Sequence, residues 1–212
     1  AVRTQQAEVL AQLLEGGQAA GAVDAQGRDG LILAARAGRE DMMATLMTAG
    51  SDPGRVDAEG RTALWYAARA GFLAGAKRVV RADNRDRADK LGMTPLAVAA
   101  AEGRADMVSW LIEQGARIDG AGGAGNPLML AATKGHAQIV QRLLAAGASA
   151  NTSEDHGNTA LMAATRQGHA AVVKMLLAAG ATRQLRNKDG HSASDIASAL
   201  NHADIEALLK AG

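Results

Sequence analysis

One structural unit recurs along this chain every 32 or 33 residues. Its landmark is a glycine in five units and an alanine in a sixth: Gly27, Gly60, Gly92, Ala124, Gly157 and Gly190. A period of this length is typical of stacked helical arrays. Because two short helices cannot bury their apolar faces alone, we expect each unit to pack against its neighbours.

The residue types around each landmark predict where the first helix of a unit begins and ends. Two residues after each landmark stands a residue that can cap a helix N-terminus: Asp29, Thr62, Thr94, Asn126, Thr159 and Ser192. A small residue follows at one shared place, which predicts close helix contacts: Ala34, Ala67, Ala99, Ala131, Ala164 and Ala197. Residues that tolerate a left-handed backbone then end each helix: Gly38, Gly71, Gly103, Gly135, Gly168 and Asn201.

Composition narrows the class of protein. The 212 residues include only two Trp, one Tyr and one Phe, so alanine and leucine must form the core as thin helical layers. A net charge of +1 favours neither nucleic acid nor a membrane surface as partner. The absence of cysteine excludes disulfides and thiolate catalysis. No apolar run is long enough to span a membrane, so we expect a soluble protein, either cytoplasmic or, after processing, periplasmic or secreted.

The unit resembles the ankyrin repeat, and four segments carry the likeness: Gly92-Met93-Thr94-Pro95-Leu96, Gly135-His136, Gly115-Ala116 and Gly147-Ala148. The resemblance covers about residues 27–212 and recurs in register. It implies an all-α ankyrin-repeat solenoid of stacked antiparallel helix pairs, with hairpin loops projecting at right angles. It also implies a concave face of hairpin tips and first helices, and a binding module without catalytic residues, metal or cofactor.

The register predicts a single ankyrin-repeat domain over residues 1–212. We expect a degenerate N-terminal half repeat, five full repeats and a C-terminal capping repeat, with the bounds 1–26, 27–59, 60–91, 92–123, 124–156, 157–189 and 190–212. The last unit carries Ser194, Glu206 and Lys210 in place of apolar residues, which suits an outer face in contact with water.

The unit at residues 60–91 departs most from the pattern. Its second helix holds Gly75 and Ala76 where other units have large apolar pairs. It also contains three of the aromatic residues, Trp65, Tyr66 and Phe72. Two interpretations stay open: these aromatics contact a partner, or they fill the space that the small residues leave.

The resemblance implies that hairpin residues and the residues before each first-helix stop face a partner. The candidate contact residues are Arg28, Arg36, Arg61, Trp65, Tyr66, Arg69, Leu91, Met93, Glu102, Lys134, Asp155 and Arg166. Arginine recurs in successive units at two of these places, which would attract an acidic partner surface. The alternative is local neutralisation, because Asp57 and Glu59 share a hairpin with Arg61. Arginine and large aromatics dominate binding hot spots, so Trp65, Tyr66, Arg36 and Arg69 are the first candidates.

Two motifs suggest chemistry that their surroundings do not support. Residues 120–125, GAGGAG, match G-x-G-x-x-G, but no apolar strand precedes them, and the register predicts a flexible hairpin tip. His156 and His191 fall on neighbouring hairpins, yet a metal site would need further ligands from Asp155 and Asp189, and we expect none. Histidines that directly follow a helix stop are expected to be structural: His136, His169 and His202.

The sequence therefore predicts a non-enzymatic module that binds another protein, as a monomer or within a hetero-complex, and has no small-molecule substrate. A more specific alternative is a dedicated inhibitor or immunity protein that blocks one enzyme, for example a bacterial toxin. The high alanine and glycine content suggests a GC-rich bacterial source, where small stand-alone repeat proteins occur. A third alternative, binding of nucleic acid or another polyanion, is disfavoured by the net charge of +1.

Overall fold

The computed structural model describes residues 22–122 and 125–211, and within these the chain forms twelve helices. The first-layer helices are α1 (Gly30–Ala37), α3 (Ala63–Ala70), α5 (Pro95–Ala101), α7 (Pro127–Lys134), α9 (Ala160–Arg166) and α11 (Ala193–Ala199). The second-layer helices are α2 (Glu40–Thr48), α4 (Leu73–Val79), α6 (Ala105–Glu113), α8 (Ala137–Ala145), α10 (Ala170–Ala178) and α12 (Ala203–Lys210). The predicted N-terminal half repeat lies almost wholly outside the described residues.

The helices stack by nearest-neighbour contacts. Each first-layer helix packs against its own second-layer partner and against the first-layer helices before and after it. Second-layer helices also pack against neighbouring second-layer helices: α2 against α4, α6 against α8, α8 against α10 and α10 against α12. Apart from one isolated antiparallel bridge between Ser153 and Thr159, the described residues form no β-structure. The expected all-α solenoid is confirmed.

The predicted helix starts and stops are confirmed in all six units. Each capping side chain accepts a hydrogen bond from the backbone N–H three residues later, as the Thr62 hydroxyl does from Trp65 at 3.1 Å. Each predicted stop has a left-handed backbone, including Asn201 with φ 58°. The recurring alanine is at most 2% exposed in every unit, so a larger side chain there would separate the helices.

The second helix of the unit at residues 60–91 ends without a glycine. Helix α4 stops at Val79, and the chain continues in an extended conformation. The buried Asn84 side chain closes this end, because its amide donates to the carbonyl oxygens of Val79 at 2.8 Å and Pro53 at 3.2 Å. Its own oxygen accepts from the backbone N–H of Arg81. One buried amide thereby joins two successive units.

Phe72 explains the small residue in the same helix. A Cβ atom added at Gly75 would overlap the Phe72 ring and lie 2.9 Å from Met43 Sδ. The ring therefore occupies the space above Gly75. For Phe72, the space-filling interpretation is the one that the structure supports.

In three units, the residue after the first-helix stop bonds to the preceding unit. His136 Nε2 lies 3.2 Å from the carbonyl oxygen of Ala101, and His169 Nε2 lies 3.2 Å from that of Thr133. At the equivalent place, Arg104 Nε donates to the carbonyl oxygen of Arg69 at 3.1 Å. The expected structural role is therefore confirmed for His136 and His169.

Among the described residues, no helix is long and apolar enough to cross a membrane.

Candidate interaction surface

A polar side chain three residues before the landmark glycine holds the turn of the described hairpins. In the second hairpin, Asp57 Oδ1 accepts the backbone N–H groups of Glu59 and Arg61, each at 2.9 Å. The same pair of bonds forms in the hairpins that begin with Asp24, Asp89, Glu154 and Asn187. Ala121 stands at this place in the glycine-rich hairpin and has no polar side chain to offer.

Neighbouring hairpins are also bonded to each other through their backbones. The donor–acceptor pairs, each at 2.9 Å, are Ala58 with Gln26, Lys90 with Glu59, and Lys188 with His156. These bonds align the hairpin tips of successive units. Backbone bonds therefore join the first three hairpins in sequence, and the last two hairpins to each other.

Five neighbouring first-layer helices carry an exposed charged residue at their C-terminal ends, which we call the first-helix row: Arg36, Arg69, Glu102, Lys134 and Arg166. Because the helices pack side by side in chain order, these side chains follow one another along the surface. Arg69 Nε donates to Glu102 Oε1 at 3.3 Å. In the described part of the chain, no carboxylate lies within ion-pair distance of Arg36, Lys134 or Arg166.

The structure corrects the expected placement of Trp65 and Tyr66. Each is only 6% exposed, and the two rings meet edge to face with centroids 5.2 Å apart. Trp65 Nε1 donates to the carbonyl oxygen of Met93 at 3.1 Å, and the Tyr66 hydroxyl donates to Asp57 Oδ2 at 2.7 Å. Both side chains join helix α3 to a hairpin and are buried, so neither is part of the exposed surface that a partner would contact.

Arg28 and Arg61 each pair with a carboxylate of their own hairpin. Arg28 Nη2 lies 2.6 Å from Asp24 Oδ2, and Arg61 Nε lies 3.0 Å from Asp57 Oδ2. Both arginine side chains are half-buried. Local neutralisation, which the sequence left open, therefore applies at these two places.

Asp57 is the centre of the second hairpin. Burial alone would raise the pKa of Asp57, but hydrogen bonds from the Arg61 backbone and the Tyr66 hydroxyl outweigh it and hold the pKa below its usual value. The pKa of Tyr66 is raised by its burial and by its hydrogen bond to this carboxylate. From the sequence, Asp57 was expected only to neutralise the charge of Arg61. The recurrence of Asp, Glu or Asn at this place in five hairpins is the signal that could have revealed its role.

Two arginines lie over the indole ring of Trp65. The guanidinium carbon of Arg61 is 5.4 Å from the ring centroid, and that of Arg69 is 5.9 Å away. Each guanidinium uses its Nε in an ion pair, Arg61 with Asp57 and Arg69 with Glu102. The terminal amino groups of both arginines have no hydrogen-bond partner among the described residues.

The third hairpin presents an apolar tip. Leu91 is 76% exposed, more than any other large hydrophobic residue in the described ranges. Met93 from the same hairpin is half-buried and packs against the core. The glycine-rich hairpin comes close to this tip, since a Cβ atom on Gly125 would overlap the carbonyl oxygen of Gly92. Glycine at position 125 is therefore required by close backbone approach.

The fifth hairpin is polar. Asp155 and His156 are exposed, and His156 Nδ1 lies 3.0 Å from Glu154 Oε2. Burial alone would raise the pKa of Glu154, but hydrogen bonds from His156 and Asn158 outweigh it and lower the pKa to about 2. In the next hairpin, His191 donates its backbone N–H to Oδ1 of Asn187 in the same hairpin. Within the described ranges, no three His, Asp or Glu side chains cluster to hold a metal ion.

Comparison with known proteins agrees with this architecture. Three copies of a family model for ankyrin repeats match residues 1–87, 31–121 and 128–212. The chain belongs to the ankyrin repeat family. Ankyrin repeats are in general protein–protein interaction modules. No curated protein matches the sequence.

The solved structures include the ankyrin repeat domain of Bcl-3, described as a unique member of the IkappaB protein family. This ankyrin chain superimposes on it with a TM-score of 0.76 and 25% sequence identity, over 93% of this chain and 90% of that chain. Because 552 chains of solved structures match in total, the likeness identifies an architecture and does not point to one partner.

Proposed function

We propose that this ankyrin chain binds another protein through the face formed by its hairpin tips and its first-helix row, and that the bound surface of the partner is acidic. The observation that carries the proposal is the charge of the row, which has four exposed cations and one carboxylate. Three of these cations have no carboxylate neighbour in the described chain. Arrays of one charge sign steer an oppositely charged partner and raise its association rate.

On the second-layer helices, two arginines form contacts with the preceding unit. Arg78 Nη2 lies 2.7 Å from Glu40 in the preceding unit. Arg142 likewise reaches the preceding unit, where Asp106 and Ser109 lie beside it. These cations join neighbouring helices and are already engaged. Unlike these two arginines, Arg36 and Arg166 of the first-helix row have no carboxylate within ion-pair distance among the described residues.

A dedicated inhibitor or immunity protein would use the same face. The specific observation in its favour is Leu91, a bulky apolar side chain at the tip of a hairpin whose backbone is tied to its neighbour. Such a side chain is suited to enter a cleft on an enzyme. In that case the captured partner would be an enzyme, and the complex would lack its activity.

Site-specific photo-crosslinking tests the proposal. Benzoylphenylalanine would replace Arg36, Leu91 or Lys134 on the proposed face, and Lys77 or Lys174 on the second-layer helices as matched exposed controls. The variants would be irradiated in an extract of the cells that make the protein. We expect one protein to crosslink from the first set and not from the second.

Charge reversal then tests the specificity of that crosslink. The double change Arg36→Glu with Arg69→Glu should abolish crosslinking from Leu91, whereas Lys77→Glu with Lys174→Glu should leave it intact. Equal crosslinking from both faces, or crosslinking to nucleic acid instead of protein, would contradict the proposal.

A further inference from the structure

The stacked arginines define a site more specific than a charged face. Resting on the function proposed above, we propose that Arg61 and Arg69, held over Trp65, form a docking site for carboxylate side chains of the protein partner. The two arginines belong to one unit, and both guanidinium groups lie within 6 Å of the same indole centroid. The site therefore offers two adjacent guanidinium groups, one in the first-helix row and one in the hairpin beside it, each of which has one ion pair through Nε.

Both arginines are ordered before any partner arrives. Each is held on one side by the indole ring and on the other by an ion pair through Nε. A free arginine side chain loses considerable rotamer entropy when it is immobilised in an interface. Stacking reduces that loss, and a planar guanidinium keeps its forked donors aligned for a carboxylate.

The donors that remain are those suited to a carboxylate. The ion pairs use Nε of Arg61 and of Arg69, which leaves the terminal amino groups of both without a partner in the described chain. Carboxylates accept two parallel N–H bonds from a guanidinium, and such charge-assisted bonds are about twice as strong as neutral ones. An incoming carboxylate can bind at the amino groups without displacing Asp57 or Glu102.

The surrounding charge favours separate carboxylates over a phosphate backbone. Glu59 is exposed on the same hairpin as Arg61, and Glu102 stands beside Arg69. A nucleic acid carries closely spaced phosphates along its whole length and would meet these two acids. A protein segment can place its carboxylates on the arginines and keep neutral or basic residues elsewhere.

The preceding unit provides a control, because it has the two equivalent arginines without a tryptophan beneath them. Arg28 and Arg36 occupy the places that correspond to Arg61 and Arg69, but Ile32 stands where Trp65 stands. In the described part of the chain, every arginine–aromatic contact involves Arg61 or Arg69. The two units thus differ in the indole, and also at Arg28, whose Nη2 is already bound by Asp24 and Gln26.

The experiment compares lysine substitutions at the two pairs. Fluorescence anisotropy would measure binding of a labelled peptide of ten glutamates to the whole chain, to the R61K/R69K variant and to the R28K/R36K variant. Lysine keeps the charge but cannot form the planar stack or the fork. We expect R61K/R69K to weaken binding about tenfold, equivalent to about 1.4 kcal/mol. R28K/R36K should change it by less than about twofold, since no stack is lost there.

A labelled oligothymidylate of ten nucleotides is the polyanion control, and circular dichroism confirms folding of each variant. If R61K/R69K does not fold, the single variant R69K is compared with the single variant R36K, because both residues are exposed. Equal losses from both lysine pairs, tighter binding of the oligonucleotide, or no glutamate-peptide binding up to about 1 mM would overturn the inference. Any of these results leaves the crosslinking test of the proposed function intact, because that test does not depend on glutamate.

Discussion

Replacing Gly75 by alanine separates helix propensity from packing. In an exposed helix this change stabilises by about 1 kcal/mol, because glycine loses more backbone entropy on folding. In this chain the new Cβ atom would overlap two carbons of the Phe72 ring and approach Met43 Sδ to 2.9 Å. Non-bonded carbons normally sit about 3.5–4.0 Å apart. The ring must therefore leave its position.

The expected net effect has the opposite sign to the propensity. Overpacking a well-packed core costs about 1–3 kcal/mol, and the severe overlap with a rigid ring places this site toward the upper end. After the gain in propensity, we expect Gly75→Ala to destabilise by about 1–2 kcal/mol. Urea denaturation followed by far-UV circular dichroism measures this as a lower midpoint at unchanged slope.

The Phe72→Ala background provides the control. Once the ring is removed, the new Cβ atom still lies 2.9 Å from Met43 Sδ, but that atom is near the end of a flexible side chain that can turn away. The same Gly75→Ala change should then stabilise by up to about 1 kcal/mol. The coupling between the two sites should then exceed about 1 kcal/mol, as is typical of residues in direct contact. If Gly75→Ala stabilises the chain with Phe72 present, or acts equally in both backgrounds, the ring does not fill this space.

Three further substitutions test buried or partly buried polar groups by the same denaturation assay. Tyr66→Phe removes the hydroxyl that donates to Asp57, and we expect a loss of about 1–2 kcal/mol together with a higher pKa of Asp57 by NMR titration. Glu154→Gln should cost about 2 kcal/mol near pH 7. Because the folded pKa of Glu154 is depressed to about 2, this difference should vanish as the pH falls from about 4.5 to about 2, and a pH-independent loss would contradict the assignment. Thr165→Val should stabilise by about 1 kcal/mol, since it removes a buried hydroxyl that has no partner.

The helix caps were predictable because each depends on a few neighbouring residues and recurs in register. A capping oxygen such as that of Thr62 needs only the N–H three residues away, and a stop such as Gly71 needs only its own backbone freedom. The aromatic placement was harder, because exposure depends on the neighbouring layers. The register still held a signal: Ile32 stands at the place of Trp65 one unit earlier and is 1% exposed.

Ion pairing was the least predictable feature, because it depends on contacts one repeat away. Arg69 pairs with Glu102 of the next unit, whereas Arg28 pairs with Asp24 of its own hairpin. Composition does not reveal which of these two kinds of partner an arginine will have. The candidate face could therefore be named from the sequence, but its free charge could not.

The charge of the first-helix row is not explained by folding alone. Arg36 is followed one unit later by Arg69, and Lys134 by Arg166, so like charges stand on neighbouring helices. A cation near a helix C-terminus gains about 0.3–1 kcal/mol from the helix dipole, but each helix gains this separately and needs no like-charged neighbour. A layer arranged only for stability would alternate signs between units, as Arg78 and Glu40 do on the other layer. Cations that do not stabilise the packing of neighbouring helices remain available to a partner. For this reason we propose that the partner binds at the first-helix row.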